Sequence, residues 1–335
     1  MKIIFESPTP VMLAHGGAHI QIEQTRAGLE AIGVQVEYLR WWDKDQTGDL
    51  IHYFGTPSNA FIETARAAGK PVVMTNLFTE SCNRPDRRLE LQGKIIQVAV
   101  KLPIIRQVKE QLNWLVYANA THNVVGLKCE KAVLEKSFQV PAGKISLVPL
   151  GLSENFLKAG PGKREAEHLI CTGTITQRKN SVELAQLARA AGTPMLFLGK
   201  PYHANDPYWR RFQELVDGRI VKYAPHVESE LEMAGQLQSA RGFVLMSRFE
   251  NWCLSAHEAI ACGLPLLVQD QRWSRECFGG EPRYFGSIGF NPENVATLKK
   301  FYDEAPRLGP PKIKLYRWTE VAEALKKVYE KVLAG

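Results

Sequence analysis

Short apolar runs of strand length alternate along the chain with stretches in which apolar residues recur every three or four positions. Runs at 2–5, 34–39, 50–53, 72–75, 123–126 and 145–149 predict strands, and 21–31, 60–68 and 131–137 predict helices between them. The second half repeats the scheme. Strands are expected at 169–173, 195–199, 220–223, 243–247 and 265–269, with helices near 182–191, 209–215 and 231–239. Strand-helix alternation on this scale predicts an α/β fold of parallel sheets covered on both faces. Two such halves predict two Rossmann-like domains facing across a cleft, residues 1–152 and 153–315. Glycine, proline and charge cluster at 160–164 without periodicity, as in a linker. The last stretch, 316–333, reads as an amphipathic helix carrying Val321, Leu325, Val328 and Val332 on one side.

This pattern sets Glu250 and Glu258 on a strand-to-helix junction. The run 243–247 leads into Glu250, and the alanine-rich stretch holding Glu258 stops at Gly263 and Pro265. Glu250 is expected in the loop at the carboxyl end of a strand, with Glu258 one to two turns into the next helix. Ligands of open α/β sheets bind at that edge. Backbone N–H groups from Cys253 to Ser255 would be free there to face an anion. Two carboxylates beside such a helix start suit a ligand bearing hydroxyls and phosphates together, as a nucleotide sugar does.

Arg178-Lys179-Asn180-Ser181 follows the first strand of the second half and opens a helix that Asn180 or Ser181 can cap. Arginine offers phosphate a planar fork and lysine a mobile point charge. Gly16-Gly17 follows the first strand of the chain, where paired glycines allow close backbone approach. It is not a GxGxxG, so a nicotinamide or flavin fingerprint is missing. Asp43-Lys-Asp45 has the form of a metal-diphosphate motif but sits in a polar loop, and reads as a solvated turn. His15, beside the paired glycines, and His52, after a strand, fall near the expected cleft; no histidine has metal-ligand spacing.

Composition adds little to choose among partners. The 335 residues are 45% hydrophobic and 23% charged, ordinary for a globular protein without a membrane span. The first residues show no signal-peptide pattern and read instead as a first strand. The six cysteines form no CxxC and read as buried reduced thiols of a cytoplasmic protein. A net charge of +7 favours anionic partners. Residues 84–116 interleave bases with apolar side chains, which suits either an anionic bilayer surface or a helix packed on its own domain, broken at Pro103. A peripheral place at the inner face of the membrane would be compatible with the first reading. No nucleic-acid-binding motif appears.

These parts in this order resemble family 4 of the retaining glycosyltransferases, which have the GT-B fold, along nearly the whole chain. Gly16-Gly17 with Leu29-Glu-Ala-Ile-Gly33 looks like the opening loop and helix. Val140 through Gly151 looks like the approach to the interdomain linker, and Gly173 through Lys179 like the diphosphate loop. Glu250 and Glu258, with seven residues between them, look like the E-x7-E signature. Trp318-Thr-Glu-Val-Ala322 resembles a terminal helix that crosses back to the first domain, joining 316–335 to it. The resemblance implies transfer of a hexose from a nucleotide-diphosphate sugar to a hydroxyl acceptor, such as a lipid-linked or cell-surface glycan, with no cofactor and no metal. Glu250 would hold the donor sugar and Glu258 the ribose. Gly17, Gly173, Arg178, Lys179, Asn251, Trp252, Cys253 and Leu254 would complete the donor site. His15, His52 and Asn76 are candidates on the acceptor side.

Two departures stand out. The family often has a histidine after the strand 72–75, where this chain has only Asn76 as a polar candidate. After Glu250 the family often reads Gly-Phe-Gly, and here Asn251-Trp252-Cys253 stands instead. The alternative to an enzyme is therefore a catalytically inactive GT-B scaffold that binds nucleotide or glycan.

Overall fold

The computed structural model describes residues 1–10, 16–78, 80–101 and 113–335. His15, Pro103 and the part of the basic segment at 102–112 lie outside the described residues. The chain divides into two compact units, Met1–Gly151 with Tyr316–Gly335, and Leu152–Leu315.

The first unit is a parallel sheet of β1 (Lys2–Glu6), β2 (Gln35–Tyr38), β3 (Leu50–Phe54), β4 (Val72–Thr75), β5 (His122–Val125) and β6 (Ile145–Leu147). The strand order is β2-β1-β3-β4-β5-β6, with every pairing parallel. Its helices are α1 (Gly17–Ala31), α2 (Asn59–Ala67), α3 (Asp86–Lys101), the single turn α4 (Val116–Asn119) and α5 (Lys128–Ser137). All four residues of β4 and all four of β5 are buried, as strands covered on both faces must be.

The second unit contains α6 (Glu154–Ala159), β7 (Leu169–Thr172), α7 (Ser181–Ala191), β8 (Met195–Leu198), α8 (Pro207–Gln213), β9 (Val221–Ala224) and α9 (Glu230–Ser239). It continues with β10 (Phe243–Leu245), α10 (Leu254–Ala261), β11 (Leu266–Gln269), α11 (Arg272–Phe278), β12 (Arg283–Phe285) and α12 (Pro292–Glu304). Its parallel sheet has the order β12-β11-β10-β7-β8-β9. The strand β12 and the helices α11 and α12 were not expected. β12 is a three-residue edge strand with an arginine, too short and polar to stand out as a run.

The last helix, α13 (Trp318–Leu333), packs on α1. Gly28 of α1 makes that crossing possible, because a Cβ there would lie 2.7 Å from the Trp318 carbonyl oxygen. Inside this unit, His52 of β3 lies 2.5 Å from the Tyr329 hydroxyl through Nδ1 and 2.7 Å from Thr75 Oγ1 through Nε2.

Residues 160–164, expected as a linker, are instead packed within the second unit. The Arg164 N–H donates to Gln238 O at 3.1 Å. Its guanidinium donates to Ala305 O, Leu308 O and Gly263 O. Fixing this turn to three carbonyls removes the freedom a linker needs.

Candidate functional site

Strand order reverses once in each sheet, between β1 and β3 and between β7 and β10. Ligands of open α/β sheets bind outside the carboxyl ends of the strands at such a reversal. After β7 the chain passes Gly173 and a 3-10 turn, Gln177–Lys179, to Asn180. After β10 it passes Met246 to Glu250.

The two loops are tied together. Asn180 Nδ2 donates to Met246 O at 2.8 Å, and the Arg248 N–H donates to Arg178 O at 2.9 Å. Asn180 is wholly buried with φ 51° and ψ 40°, the left-handed region that asparagine tolerates better than most residues. It does not cap α7 with its side chain, as the sequence suggested it could. That conformation turns the amide toward Met246, and the Tyr208 hydroxyl accepts from the Val182 N–H at 2.9 Å.

Glu250 occupies the middle of this junction. Its Oε1 accepts from Ser247 Oγ at 2.7 Å and lies 2.9 Å from Arg178 Nη1 and 3.1 Å from Lys179 Nζ. The Glu250 and Lys179 side chains are each 11% exposed, whereas Arg178 is 42% exposed. Burial pushes the Glu250 carboxyl up, but Lys179, Arg178 and the Ser247 hydroxyl more than offset it and hold the group at about 2. The Arg178 pairing is screened by solvent because that side chain is 42% exposed, so the buried Lys179 is the stronger partner. Glu250 is therefore an ionised carboxylate.

Two glycines let the loop close. A Cβ on Gly199, just after β8, would lie 2.0 Å from the Gly173 carbonyl oxygen. Gly173 itself has φ +134°, and a Cβ there would meet Lys179 Nζ at 2.9 Å.

The segment from Asn251 to Leu254 follows Glu250 directly. Cys253 has φ 64°, costly for a residue with a Cβ, and it holds the start of α10 in the backbone shape a glycine would adopt freely. Its carbonyl accepts from the N–H groups of Ala256 and His257. The N–H groups of Leu254 and Ser255, in the first turn of α10, have no acceptor inside the helix. His257 anchors the turn: its Nδ1 lies 3.0 Å from Cys253 O, and its ring stacks on Trp252 at 5.1 Å and 12°. Burial lowers the His257 imidazole to about 4, partly countered by that hydrogen bond, so the neutral ring donates through Nδ1. The Cys277 thiol approaches Trp252 O at 3.6 Å from the other side.

Glu258 lies one turn into α10, half-buried. Burial and the carboxylate of Glu230 push its carboxyl up to about 7, with Lys179 acting in the opposite direction. Glu250 and Glu258 thus differ in kind, one locked in ion pairs and the other poised near neutrality.

Gly173, Arg178, Lys179, Glu250 and the segment to Leu254 come together at one edge of the second unit, with Glu258 close by. Gly17, His52 and Asn76 belong to the first unit. Gly17 opens α1 after Gly16, whose φ is 86°, and a Cβ on Gly17 would meet no atom within 4 Å. Both ring nitrogens of His52 are engaged in the core, and burial lowers the imidazole to about 3. Asn76 is buried and donates to Asn123 Oδ1 at 3.2 Å, while its own Oδ1 has no protein partner. Asp43 accepts from Arg40 and from the Asp45 N–H, as in an ordinary polar turn. Among the described residues, no group of three His, Cys, Asp or Glu side chains is arranged to hold a metal ion. Ser247, Gly199, Tyr208 and the anchoring role of His257 were missed in the sequence. Only Gly199, placed at a strand end, carried a signal.

No protein-family profile and no curated protein matches the chain. Solved structures do. Sucrose-phosphate synthase from Thermosynechococcus elongatus superposes with a TM-score of 0.65 at 16% identity, covering 99% of each chain. The Anabaena protein HepE in complex with UDP-glucose gives 0.64 at 11% identity, covering 99% of this chain and 100% of its own. A glycosyltransferase involved in avilamycin A biosynthesis gives 0.60 at 16% identity, covering 100% and 98%. The two parallel sheets and their helices have the GT-B fold of these proteins.

Proposed function

We propose that the protein is a retaining glycosyltransferase of the family 4 type, moving a hexose from a nucleotide-diphosphate sugar to a hydroxyl acceptor. The observation that carries this reading is the Glu250 carboxylate held between Lys179 and Arg178 at the β7–β10 reversal. A carboxylate paired to two cations in the free protein marks a place where a diphosphate and a sugar hydroxyl can divide those charges between them.

In this account the diphosphate takes Arg178, Lys179 and the free N–H groups at the start of α10. Glu250 is then released to accept hydrogen bonds from the donor sugar, and Glu258 accepts from the ribose hydroxyls. Gly173 gives the phosphates close access to backbone. As the bond between the anomeric carbon and the diphosphate oxygen breaks, charge grows on the leaving phosphate. Fixed cations and N–H groups stabilise it without a metal. The acceptor oxygen bonds to the anomeric carbon on the face the diphosphate leaves, and its proton passes to a phosphate oxygen. Configuration is retained. Trp252, braced by His257, limits the volume beside the sugar.

A membrane-borne acceptor is supported by α3. Leu91, Ile95 and Val98 are 59%, 58% and 62% exposed along one side of it, with Arg87, Arg88, Lys94 and Lys101 around them. The opposite side packs on α5 through Gly93, where a Cβ would lie 2.1 Å from Lys136 O. An amphipathic basic helix of this kind suits an anionic lipid surface. Among the described residues no helix is long and apolar enough to cross a membrane.

A thermal-shift screen over UDP-, GDP- and ADP-sugars tests donor binding first. A donor at a hundred times its Kd should add roughly 2.7 kcal/mol of stability. Stabilisation without release of nucleoside diphosphate would favour the inactive scaffold, and no stabilisation by any of them would overturn the site.

A further inference from the structure

Trp41 and Trp42, adjacent in sequence, are the most exposed large apolar side chains among the described residues, at 74% and 82%. They follow β2 at the carboxyl edge of the first sheet. Trp41 lies over that edge near Glu6, the last residue of β1, with its ring tilted at 6.3 Å against Phe61 of α2. β1 and β3 flank the reversal of strand order in this unit, where ligand crevices open.

The loop that presents them is built, not slack. Arg40 Nη1 donates to Glu37 at 2.9 Å and Arg40 Nε to Asp43 at 2.9 Å. Gln46 accepts from the Arg40 N–H at 2.8 Å and donates to Tyr38 O at 2.9 Å and to Glu37 at 3.1 Å. A loop this fully cross-bonded has already lost the entropy that binding would otherwise cost.

We propose that Trp41 and Trp42 form a binding surface for an uncharged glycan. This rests on the sugar-transferring reading above and deepens it. The negative face of an indole ring attracts the polarised C–H bonds on one face of a pyranose, and two rings offer a rigid apolar area at little entropic cost. The hydroxyl rim of such a sugar meets polar partners here in Arg40, Lys44 and the carboxylates of the loop.

Charge decides against a bilayer. The loop and its neighbours carry Glu6, Glu37, Asp43 and Asp45 against Arg40, Lys44 and the Lys2 that pairs with Glu37 at 2.7 Å, so the surface has no excess of positive charge to attract an anionic membrane. An anionic glycan finds no such excess either.

Calorimetric titration with uncharged oligosaccharides of about three to six rings (gluco-, manno-, galacto- and N-acetylglucosamine series) tests this. We expect at least one series to bind, with affinity falling tenfold or more in Trp42→Ala and partly regained in Trp42→Phe. The Trp42 ring contributes almost no buried area, so Trp42→Ala should keep the wild-type melting temperature. Hydrolysis of donor without acceptor should also be unchanged. Absence of binding by every series, or equal binding by wild type, Trp41→Ala and Trp42→Ala, overturns the proposal. So does a result in which the substitutions change only liposome retention or self-association. Oligosaccharide binding that depends on Trp42, in a protein that turns over no nucleotide sugar, would overturn the transferase reading and leave the glycan surface standing.

Discussion

Lys179 Nζ lies 3.1 Å from Glu250 Oε1, and both side chains are almost buried. This contact makes the free site self-complementary, since the carboxylate occupies cations that a diphosphate would use. Replacing Glu250 with Gln should therefore separate binding from chemistry. Nucleoside diphosphate should bind about tenfold more tightly, or about 1.4 kcal/mol, because Arg178 and Lys179 no longer have a competing anion. Turnover of nucleotide sugar should fall at least a hundredfold, on the order of 3 kcal/mol of transition-state stabilisation. Titration calorimetry and a diphosphate-release assay on the same preparation read the two effects.

The two glutamates should also pull the pH dependence of stability in opposite directions. Folding lowers the Glu250 carboxyl from 4.5 to about 2. Its contribution is present above about 4.5 and is lost as pH falls toward 2, an effect of order 3 kcal/mol. Folding raises Glu258 from 4.5 to about 7, so the stability linked to its neutral form is complete below about 4.5 and lost as pH rises through 7. Glu258→Gln should accordingly raise the melting temperature at pH 8 and leave it unchanged at pH 4. The same substitution should weaken nucleotide binding at pH 8 about tenfold, because a ribose diol loses its ionised acceptor. A higher melting temperature with tighter nucleotide binding would contradict the role given to Glu258.

His257 should act through Trp252 and Cys253. His257→Phe keeps a ring against Trp252 but loses the bond to Cys253 O, whereas His257→Ala loses both. We expect kcat/KM for donor to fall about tenfold in the first and about a hundredfold in the second. Equal losses would show that stacking on Trp252 does not matter.

Tyr329→Phe leaves a ring nitrogen of buried His52 without its partner. Unfolding of the first unit should become easier by about 1–3 kcal/mol, measured by urea titration. Nucleotide affinity, which the proposed site places on the other unit, should not change.

Much of this arrangement was legible in the sequence because it rests on local patterns. The apolar runs set the strands from β1 to β11, and Gly263 with Pro265 marked the end of the helix after Glu250. Cation and carboxylate could be assigned to strand ends before any geometry was known. What was hidden depends on distant contacts. Nothing local says that Asn180 turns its amide toward Met246 rather than capping α7, or that Arg164 pins a glycine-rich turn to three carbonyls. His52 looked like a cleft residue because it was placed after a strand, yet it lies inside β3, and Tyr329, far along the chain, claims it for the core. Cys253 is instructive in another way. It stands where the family resembled often has glycine, and its backbone is left-handed, with His257 bonded to its carbonyl.

The central claim is that donor chemistry takes place between Glu250 and Lys179. Its most direct test is release of nucleoside diphosphate from UDP-, GDP- and ADP-sugars, compared among wild type, Glu250→Gln and Lys179→Ala at matched folded concentration. The account predicts release from at least one donor by wild type and a loss of at least a hundredfold in both variants. Release at the wild-type rate by either variant would contradict it.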